Sequence, residues 1–464
     1  MKNGRLMSMP PRVHMIGVGG IGLSAIARVL AARGVRVTGC DLTESALTES
    51  LRQAGIPVTI GHSEGHLLGV DLVVVSSAVP ETNPEVAAAR RKGLPVVHRR
   101  ELLARMMRGS DGIAVAGTHG KTTTTAMIAY VLSELGHDPT YVVGGLSADL
   151  GGNAGAGAGR WFVLEADEYD HAFADLQPWI GVVNNVEMDH PDCFANLEAV
   201  RRAFAAFMAH VRSDGWLVAG VDSPQVRALL DAADIQARVV TFGQSETADC
   251  RLRDVQAMPG GGVSFVWSSD EQVAIPVTLR VPGRHNALNA TAAMAVVTRC
   301  GVDLLDAAAV LERFEGVARR FEVKGARNGI TIVDDYAHHP TEIRATLAAA
   351  RARYPGRRLV AVFQPHTYSR TEALLDEFAA CFADADLVRL VDIFPARPSE
   401  CHTITSQELA AVVDHRDVAH TGDIEQTTAR LRAELEPGDV LITLGAGPGY
   451  LIGESLLAGQ EVQP

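Results

Sequence analysis

The chain has 464 residues, 47% apolar and 21% charged, which points to about three globular domains of ordinary size and excludes a largely disordered chain. Its 55 acidic residues exceed its 42 lysines and arginines, giving a formal net charge of -13. That balance argues against a broad nucleic-acid or anionic-membrane surface, so any phosphate site must be local.

In chain order, the strand Val13-His14-Met15-Ile16, the turn Gly17-Val18-Gly19-Gly20-Ile21-Gly22 and an apolar-periodic run from Leu23 to Ala32 predict a Rossmann-type opening. A second strand over Val35–Gly39 leads to Asp41, close to the spacing at which an acidic residue meets a ribose hydroxyl in dinucleotide folds. Further strands are expected at Leu72–Val75 and Pro95–Val97, with helices at Thr48–Ala54 and Pro84–Lys92. Alternation of these elements favours a parallel sheet, closed near Arg108. Gly109–Gly112 reads as a linker, and Gly151–Gly159, a run of Gly and Ala around Asn153, as a mobile loop. Cys40, Cys193, Cys250, Cys300, Cys381 and Cys401 are scattered with no C-x-x-C, which suggests neither a zinc knuckle nor a disulfide framework. With no signal-peptide pattern and no apolar run of membrane-spanning length, a cytoplasmic protein with neither nucleic-acid nor membrane partners is expected.

The most informative stretch is Gly117-Thr118-His119-Gly120-Lys121-Thr122, between the apolar run Ile113–Ala116 and a helical pattern opening with Thr123. Strand, glycine turn and helix N-terminus form an anion cradle, to which Lys121 adds a full positive charge. Val115 stands where the strict Walker pattern has its first Gly, so the motif is the shorter G-x-x-G-K-T. Glu165, Asp167, Glu168 and Asp170 crowd the end of the strand Trp161–Leu164, and their repulsion calls for a cation. Mg²⁺ beside a nucleotide polyphosphate suits them, with Glu165 and Thr122 as first ligands and a solvated acidic loop as the alternative. Asn185–His190 ends the next strand, Ile180–Val183, where His190 is a candidate for a second Mg²⁺ or a structural histidine.

His285, Asn286 and Asn289 fall at a helix start, suited to a purine edge or ribose, or simply to capping. Arg319 and Arg320 offer guanidinium groups for a transferring phosphoryl group, or form a solvated basic pair. Four strands are expected in the last part: Ile330–Val333, Arg358–Val362, Asp386–Val391 and Val440–Leu444. Asp334–Pro340 and Gln364–Arg370 follow two of them and gather His, Tyr and Arg at one sheet edge, where an Arg fork suits the carboxylate of a small amino acid.

Nearly the whole chain resembles the Mur ligases of peptidoglycan synthesis. Gly117–Thr122, Glu165–Asp170, Asn185–His190, His285–Asn289 and Arg319–Phe321 look like motifs shared by that family. Gly17–Gly22 followed by Ser24, Asp334–Pro340 and Gln364–Arg370 look like those of its alanine-adding branch. No Lys occurs between His190 and Asp214, where ligases adding later amino acids carry a modified one, which supports the same branch. Thr367 departs from the pattern, since many relatives have Arg there.

The resemblance implies a three-domain α/β fold: a Rossmann-like UDP-sugar-binding domain over 1–108, a P-loop ATPase-like domain with a mainly parallel sheet over 109–324, and a Rossmann-like amino-acid-binding domain over 325–464. It implies an ATP- and Mg²⁺-dependent ligase joining L-alanine to the carboxylate of UDP-N-acetylmuramate through an acyl phosphate, as a monomer or homodimer. UDP-sugar would be held by Gly17, Gly19, Gly20, Ile21, Gly22, Asp41, Ser76, Ser77 and His119. ATP would be held by Gly117, Thr118, His119, Gly120, Lys121, Thr122, Thr123, His285, Asn286, Asn289, Arg319 and Asp335. Metal would be held by Thr122, Glu165 and His190, and catalysis would fall to Lys121, His190, Arg319, His338, His366 and Arg370. Two alternatives are a recycling ligase that attaches a preformed peptide to the same acceptor, and an NAD-dependent oxidoreductase suggested by Gly17–Gly22 and Asp41.

Overall fold

Leu72–Val75, and Val13–Ile16 apart from His14, are apolar without alternation because both faces of their sheet are covered, and every one of these residues is buried. A computed structural model describes residues 10–76, 78–169, 173–269, 273–396 and 403–459; Ser77, Asp170 and Cys401 lie outside the described residues. The first sheet is wholly parallel, with strands β1 (Arg12–Ile16), β2 (Arg36–Asp41), β3 (Val58–Ile60), β4 (Leu72–Val75) and β5 (Val96–His98) in the order β3-β2-β1-β4-β5. Helices α1 (Ile21–Ala32), α2 (Ala46–Gln53), α3 (Pro84–Arg91) and α4 (Arg99–Met107) accompany it. The order reverses at β1, so the Gly-rich turn leaves the sheet at its topological switch point, where open α/β sheets bind ligands.

The central sheet has ten strands in the order β15-β14-β13-β12-β11-β10-β6-β9-β7-β8. These are β6 (Asp111–Ala116), β7 (Thr140–Ser147), β8 (Gly152–Ala156), β9 (Trp161–Glu165), β10 (Ile180–Val183), β11 (Trp216–Gly220), β12 (Arg238–Gly243), β13 (Cys250–Ala257), β14 (Val263–Ser269) and β15 (Ala274–Leu279). From β13 through β7 the strands are parallel, and antiparallel pairs complete both edges. Its helices are α5 (Lys121–Glu134), α6 (Leu197–Ala209), α7 (Pro224–Ala232), α8 (Arg284–Arg299) and α9 (Leu304–Leu311). β6 lies between β9 and β10, which brings the cradle, the acid cluster and the His190 segment to one end of three adjacent strands.

Two sequence expectations are corrected here. Asp111 and Gly112 belong to β6, paired with Trp161 and Phe162, and are not linker. Within Gly151–Gly159, expected as a mobile loop, Gly152–Ala156 forms β8. Small side chains let this strand approach α1, and buried Asn153 donates from Nδ2 to the Ile21 carbonyl at 2.9 Å. One core cluster also runs from Val13, Leu102 and Met107 into Phe162, Leu164 and Phe204, so the first two sheets share their packing.

The third sheet, in the order β16-β17-β21-β18-β19-β20, is parallel except at β16. Its strands are β16 (Glu322–Arg327), β17 (Ile330–Asp335), β18 (Leu359–Phe363), β19 (Leu387–Val391), β20 (Val418–Gly422) and β21 (Val440–Leu444), six where four were expected. The two unforeseen strands lie at the edges, where charged residues in β16 and half-buried small and polar residues in β20 conceal the apolar signal, and β16 spans the expected boundary at 324/325. Helices α10 (Pro340–Arg353) and α11 (Tyr368–Ala373) start close to the ends of β17 and β18 and carry the third cluster of functional groups.

Candidate active site

The chain leaves β6 through Gly117 and enters α5 through Gly120, at φ 78°. A Cβ at Gly120 would overlap Asn289 Oδ1, and a positive φ disfavours any side chain, so the turn requires glycine there. No side chain caps α5, which leaves its opening N–H groups facing the cradle. Lys121 Nζ donates to the carbonyls of Gly117 (2.7 Å) and Thr118 (3.2 Å) and to both oxygens of Glu168 (3.1 and 2.9 Å). Burial works against its positive charge, but Glu168, Asp167 and Glu165 overcome it and hold the ammonium above the usual lysine value. Thr122 and Thr123 are buried in the first turn of α5.

At the end of β9, Glu165 accepts from the Gly144 amide at 2.8 Å. The donors that converge on His190 are instead Asp167 and Glu168, with all three ligand atoms within 4.8 Å of one another. Carboxylate oxygens with a single imidazole fit a hard divalent cation such as Mg²⁺. Burial, aided by Arg370 and Lys121, lowers the His190 pKa, so the ring is kept neutral as ligation requires. Burial next to Asp167 pushes Glu168 up to about 7 against the pull of Lys121. His190 has φ 51°, and Arg319, Phe321 and Thr367 also have positive φ nearby, a concentration of backbone strain in non-glycine residues.

Arg370 ties the third sheet to this centre. Its Nε donates to Asp189 Oδ1 at 2.7 Å, its Nη2 lies 3.5 Å from His190 Nδ1, and its Nη1 donates to His366 Nδ1 at 3.2 Å. Burial would raise the Asp189 carboxyl, but the Arg370 guanidinium beside it holds it well below the usual range. Thr367, the position that departs from the family pattern, caps α11, and its hydroxyl accepts from the Arg370 amide at 3.3 Å. The His338 and His366 ring centroids are 5.9 Å apart. His338 Nδ1 donates to the Tyr336 carbonyl at 3.0 Å, which makes Nε2 the acceptor, and burial reinforced by Arg370 pushes its pKa down to about 4. The expected grouping of His338, His366 and Arg370 is present, but the Arg370 fork is already occupied by Asp189, His190 and His366.

A second bridge joins the same two sheets. His119 Nε2 lies 3.2 Å from Glu187 Oε2 and its Nδ1 3.3 Å from Glu342 Oε1, while Thr341 Oγ1 donates to Glu187 at 2.8 Å. His339 Nδ1 accepts from the Thr341 amide, so its Nε2 donates to the Met188 carbonyl at 3.2 Å. Burial opposes a charge on His119, but Glu187 and Glu342 raise its pKa to about 9. Relative to an unfolded value of about 6.5, its stabilisation is complete below that pH and lost as pH rises through about 9. The melting-temperature gap between wild type and His119→Gln is expected to be widest near about pH 6 and to shrink by about pH 10. A constant gap over that range contradicts an ionic bridge.

Between these sheets lies a cavity of about 700 Å³, lined by His119, Gly120, Thr123, His285, Asn286, Asn289 and Asp335 among the expected residues. Asn286 Nδ2 donates to the Pro282 carbonyl, and Asp335 accepts from the amides of Phe321 and Ala337. Arg320 reaches this cavity and Arg319 does not. With φ 60° at Arg319 the chain turns there, and its guanidinium donates to Asp334 at 2.9 Å and to the Gly445 carbonyl at 2.7 Å. Sequence reading missed Asn184, Asn185, Glu187, Thr341 and Glu342 as lining groups.

At the first sheet, Gly17 has φ 80°, and its amide and that of Val18 donate to the Cys40 carbonyl. Asp41 accepts from the amides of Gly19 and Leu42, both at 2.8 Å, so it braces the turn in addition to any ribose contact. Gly20 precedes α1 without a side-chain cap, and Ser76 Oγ lies near Gly17. Gly22 lies against the guanidinium of Arg99, a residue the sequence reading did not single out, which also stands 3.7 Å from Asp167. Arg99 thus links the glycine turn to the acid cluster.

A three-sheet α/β architecture with an anion cradle and converging metal-suited groups defines a nucleotide-using enzyme class, and family comparison makes the class specific. Residues 12–111 match the catalytic domain of the Mur ligase family, 115–297 the Mur ligase middle domain and 319–447 the Mur ligase glutamate ligase domain. The chain belongs to the Mur ligase family. It is 43% identical over 454 residues to a UDP-N-acetylmuramate–L-alanine ligase of Geobacter sulfurreducens, covering 97% of this chain and 98% of the relative. The crystal structure of UDP-N-acetylmuramate–alanine ligase MurC from Thermotoga maritima superposes with a TM-score of 0.80 at 29% identity, covering 97% of this chain and 98% of that one. A murein peptide ligase from Psychrobacter arcticus gives 0.74 at 25% identity, covering 97% and 99%.

Proposed function

We propose that this chain is an ATP-dependent ligase that joins L-alanine to the carboxylate of UDP-N-acetylmuramate in peptidoglycan precursor synthesis, acting in the cytoplasm as a monomer or homodimer. The observation that carries this reading is the direct contact of Arg370 with Asp189 and His190, which sets the His338–His366 cluster against the phosphate cradle. A reaction that activates a carboxylate with a phosphoryl group and then delivers an amine to it needs those two centres adjacent.

In this reading the sugar carboxylate attacks the γ-phosphorus of ATP, the bond to ADP breaks, and the acyl phosphate is attacked by the alanine amine, releasing inorganic phosphate. Lys121 exchanges Glu168 and its backbone carbonyls for phosphate oxygens. Thr122 and Glu165 would hold one Mg²⁺, and His190, Asp167 and Glu168 a second. When bound, these ions offset the negative charge of the phosphoryl group and of the incoming carboxylate. His285, Asn286, Asn289, Arg320 and Asp335 receive the nucleoside in the cavity, and the Gly-rich turn with Arg99 receives the UDP diphosphate. His338, neutral with Nε2 as acceptor, accepts a hydrogen bond from the amine and orients it.

The test is phosphate release with ATP, Mg²⁺ and UDP-N-acetylmuramate across a panel of amino acids and the recycling tripeptide. Release requiring all components and fastest with L-alanine is expected. Faster release with the tripeptide, or equal release without any amine, contradicts the assignment.

A further inference from the structure

Beneath the Gly-rich turn the fold assembles a second donor cluster that the ligase chemistry does not use. His14 comes from β1, Cys40 from β2, His62 and His66 from the segment after β3, and Glu85 from α3. His14 Nε2 lies 2.9 Å from Glu85 Oε2, His66 Nδ1 2.8 Å from Glu85 Oε1, and Cys40 Sγ 3.3 Å from both Glu85 Oε2 and His62 Nδ1. Ligand atoms of His14, Cys40, His66 and Glu85 all fall within 4.8 Å of one another, and the first two residues and Glu85 are at most 1% exposed.

We infer that His14, Cys40, His66 and Glu85 form a structural site for a borderline-soft divalent cation, Zn²⁺ by its donor set, with His62 in reserve as a fifth donor. Nitrogen, thiolate and carboxylate donors in fourfold array are those of zinc, and bond lengths near 2.0–2.3 Å set neighbouring ligands ~3.3–3.8 Å apart. The 3.3 Å contact of Cys40 with Glu85 has that spacing, and the 2.8 and 2.9 Å contacts of His66 and His14 with Glu85 would open by ~0.5 Å on binding. The surroundings are also those of a metal site. His14 Nδ1 lies 2.8 Å from Thr38 Oγ1, which fixes the ring with Nε2 toward the cluster, and the Ser63 amide donates to Glu85 Oε1 at 2.8 Å. Without a cation, a thiol and a carboxylate are buried together among imidazoles. With one, the thiol is deprotonated and the cluster clamps β1, β2 and α3. The Cys40 carbonyl holds the amides of Gly17 and Val18, so the clamp braces the turn proposed to bind UDP-sugar.

The spacing of these residues along the chain has no C-x-x-C signature, which is why the cluster is invisible to motif reading. The full chain, stripped with a chelator and kept in excess Mg²⁺ to occupy the nucleotide site, is titrated with Co²⁺ and then Zn²⁺. One Co²⁺ with a thiolate-to-cobalt charge-transfer band is expected, displaced by Zn²⁺ with a rise in melting temperature. Cys40→Ser is expected to lose the band, His66→Ala to weaken Zn²⁺ binding at least about tenfold, and Cys193→Ser, the cysteine nearest His190, to keep both. Absence of a charge-transfer band in folded wild type, or a band that survives Cys40→Ser, overturns the inference, since the cluster is then a buried ion-pair network alone. Neither result bears on alanine-dependent phosphate release.

Discussion

Lys121→Ala is expected to lower alanine-dependent phosphate release by at least about a hundredfold, the loss of ~3 kcal/mol that accompanies removal of one preorganised positive group from a charge-stabilising site. Two anions must approach each other in this reaction, and Lys121 is the fixed cation at the N-terminus of α5, where the helix dipole already favours phosphate. The fold is expected to survive. The body of α5 is held by apolar packing of Met127, Ile128, Val131 and Leu132, which the substitution leaves untouched. Glu168, left without its partner, takes up a proton, since burial already places its pKa near about 7. Circular dichroism and a melting curve check the fold, and phosphate release checks the rate. Wild-type turnover in a folded variant contradicts the assignment of Lys121.

Arg370→Ala is expected to destabilise the chain by ~3–5 kcal/mol, because it leaves Asp189 buried with an unpaired charge. It is also expected to raise the KM for the amino acid, since His366 and His190 both lose the guanidinium between them. Arg370→Lys retains the charge but a compact ammonium cannot reach all three partners, so only part of the loss is recovered. The double variant Asp189→Leu with Arg370→Met removes both charges together and is expected to regain much of the stability without regaining turnover. Denaturant unfolding and amino-acid titrations separate the two effects. A double variant that restores turnover shows the pair to be purely structural.

Much of the architecture was legible because glycine turns mark where ligands approach parallel strands. Gly17–Gly22 and Gly117–Gly120 each follow a strand buried over its last four residues, and both precede a helix without a side-chain cap. What escaped notice was short, polar or peripheral. β3 has three residues, two of them exposed, and β16 reads as a charged segment, although Asn328-Gly329 between Arg327 and Ile330 is a strong hairpin signal. β8 was obscured by composition, since Gly and Ala read as loop until α1 supplies the surface that makes close approach favourable.

Within the site, residue type was more legible than residue role. The sequence brings four carboxylates together after β9, but side-chain contacts decide that Glu165 turns to Gly144 while Asp167 and Glu168 face His190. Likewise, Arg319 and Arg320 are adjacent in sequence, and only the backbone turn at Arg319 sends one to Asp334 and the other to the cavity. Arg99 was silent because its partner Asp167 lies far along the chain, and the roles of Glu187 and Glu342 were hidden because both meet His119, distant in sequence.

The most direct test of the central claim follows an oxygen atom. With UDP-N-acetylmuramate labelled with ¹⁸O in its carboxylate, ATP, Mg²⁺ and L-alanine, an acyl phosphate requires that one labelled oxygen leave in the inorganic phosphate as the amide forms. Label in the phosphate is the predicted result, and phosphate released without label while the alanine adduct accumulates would contradict it.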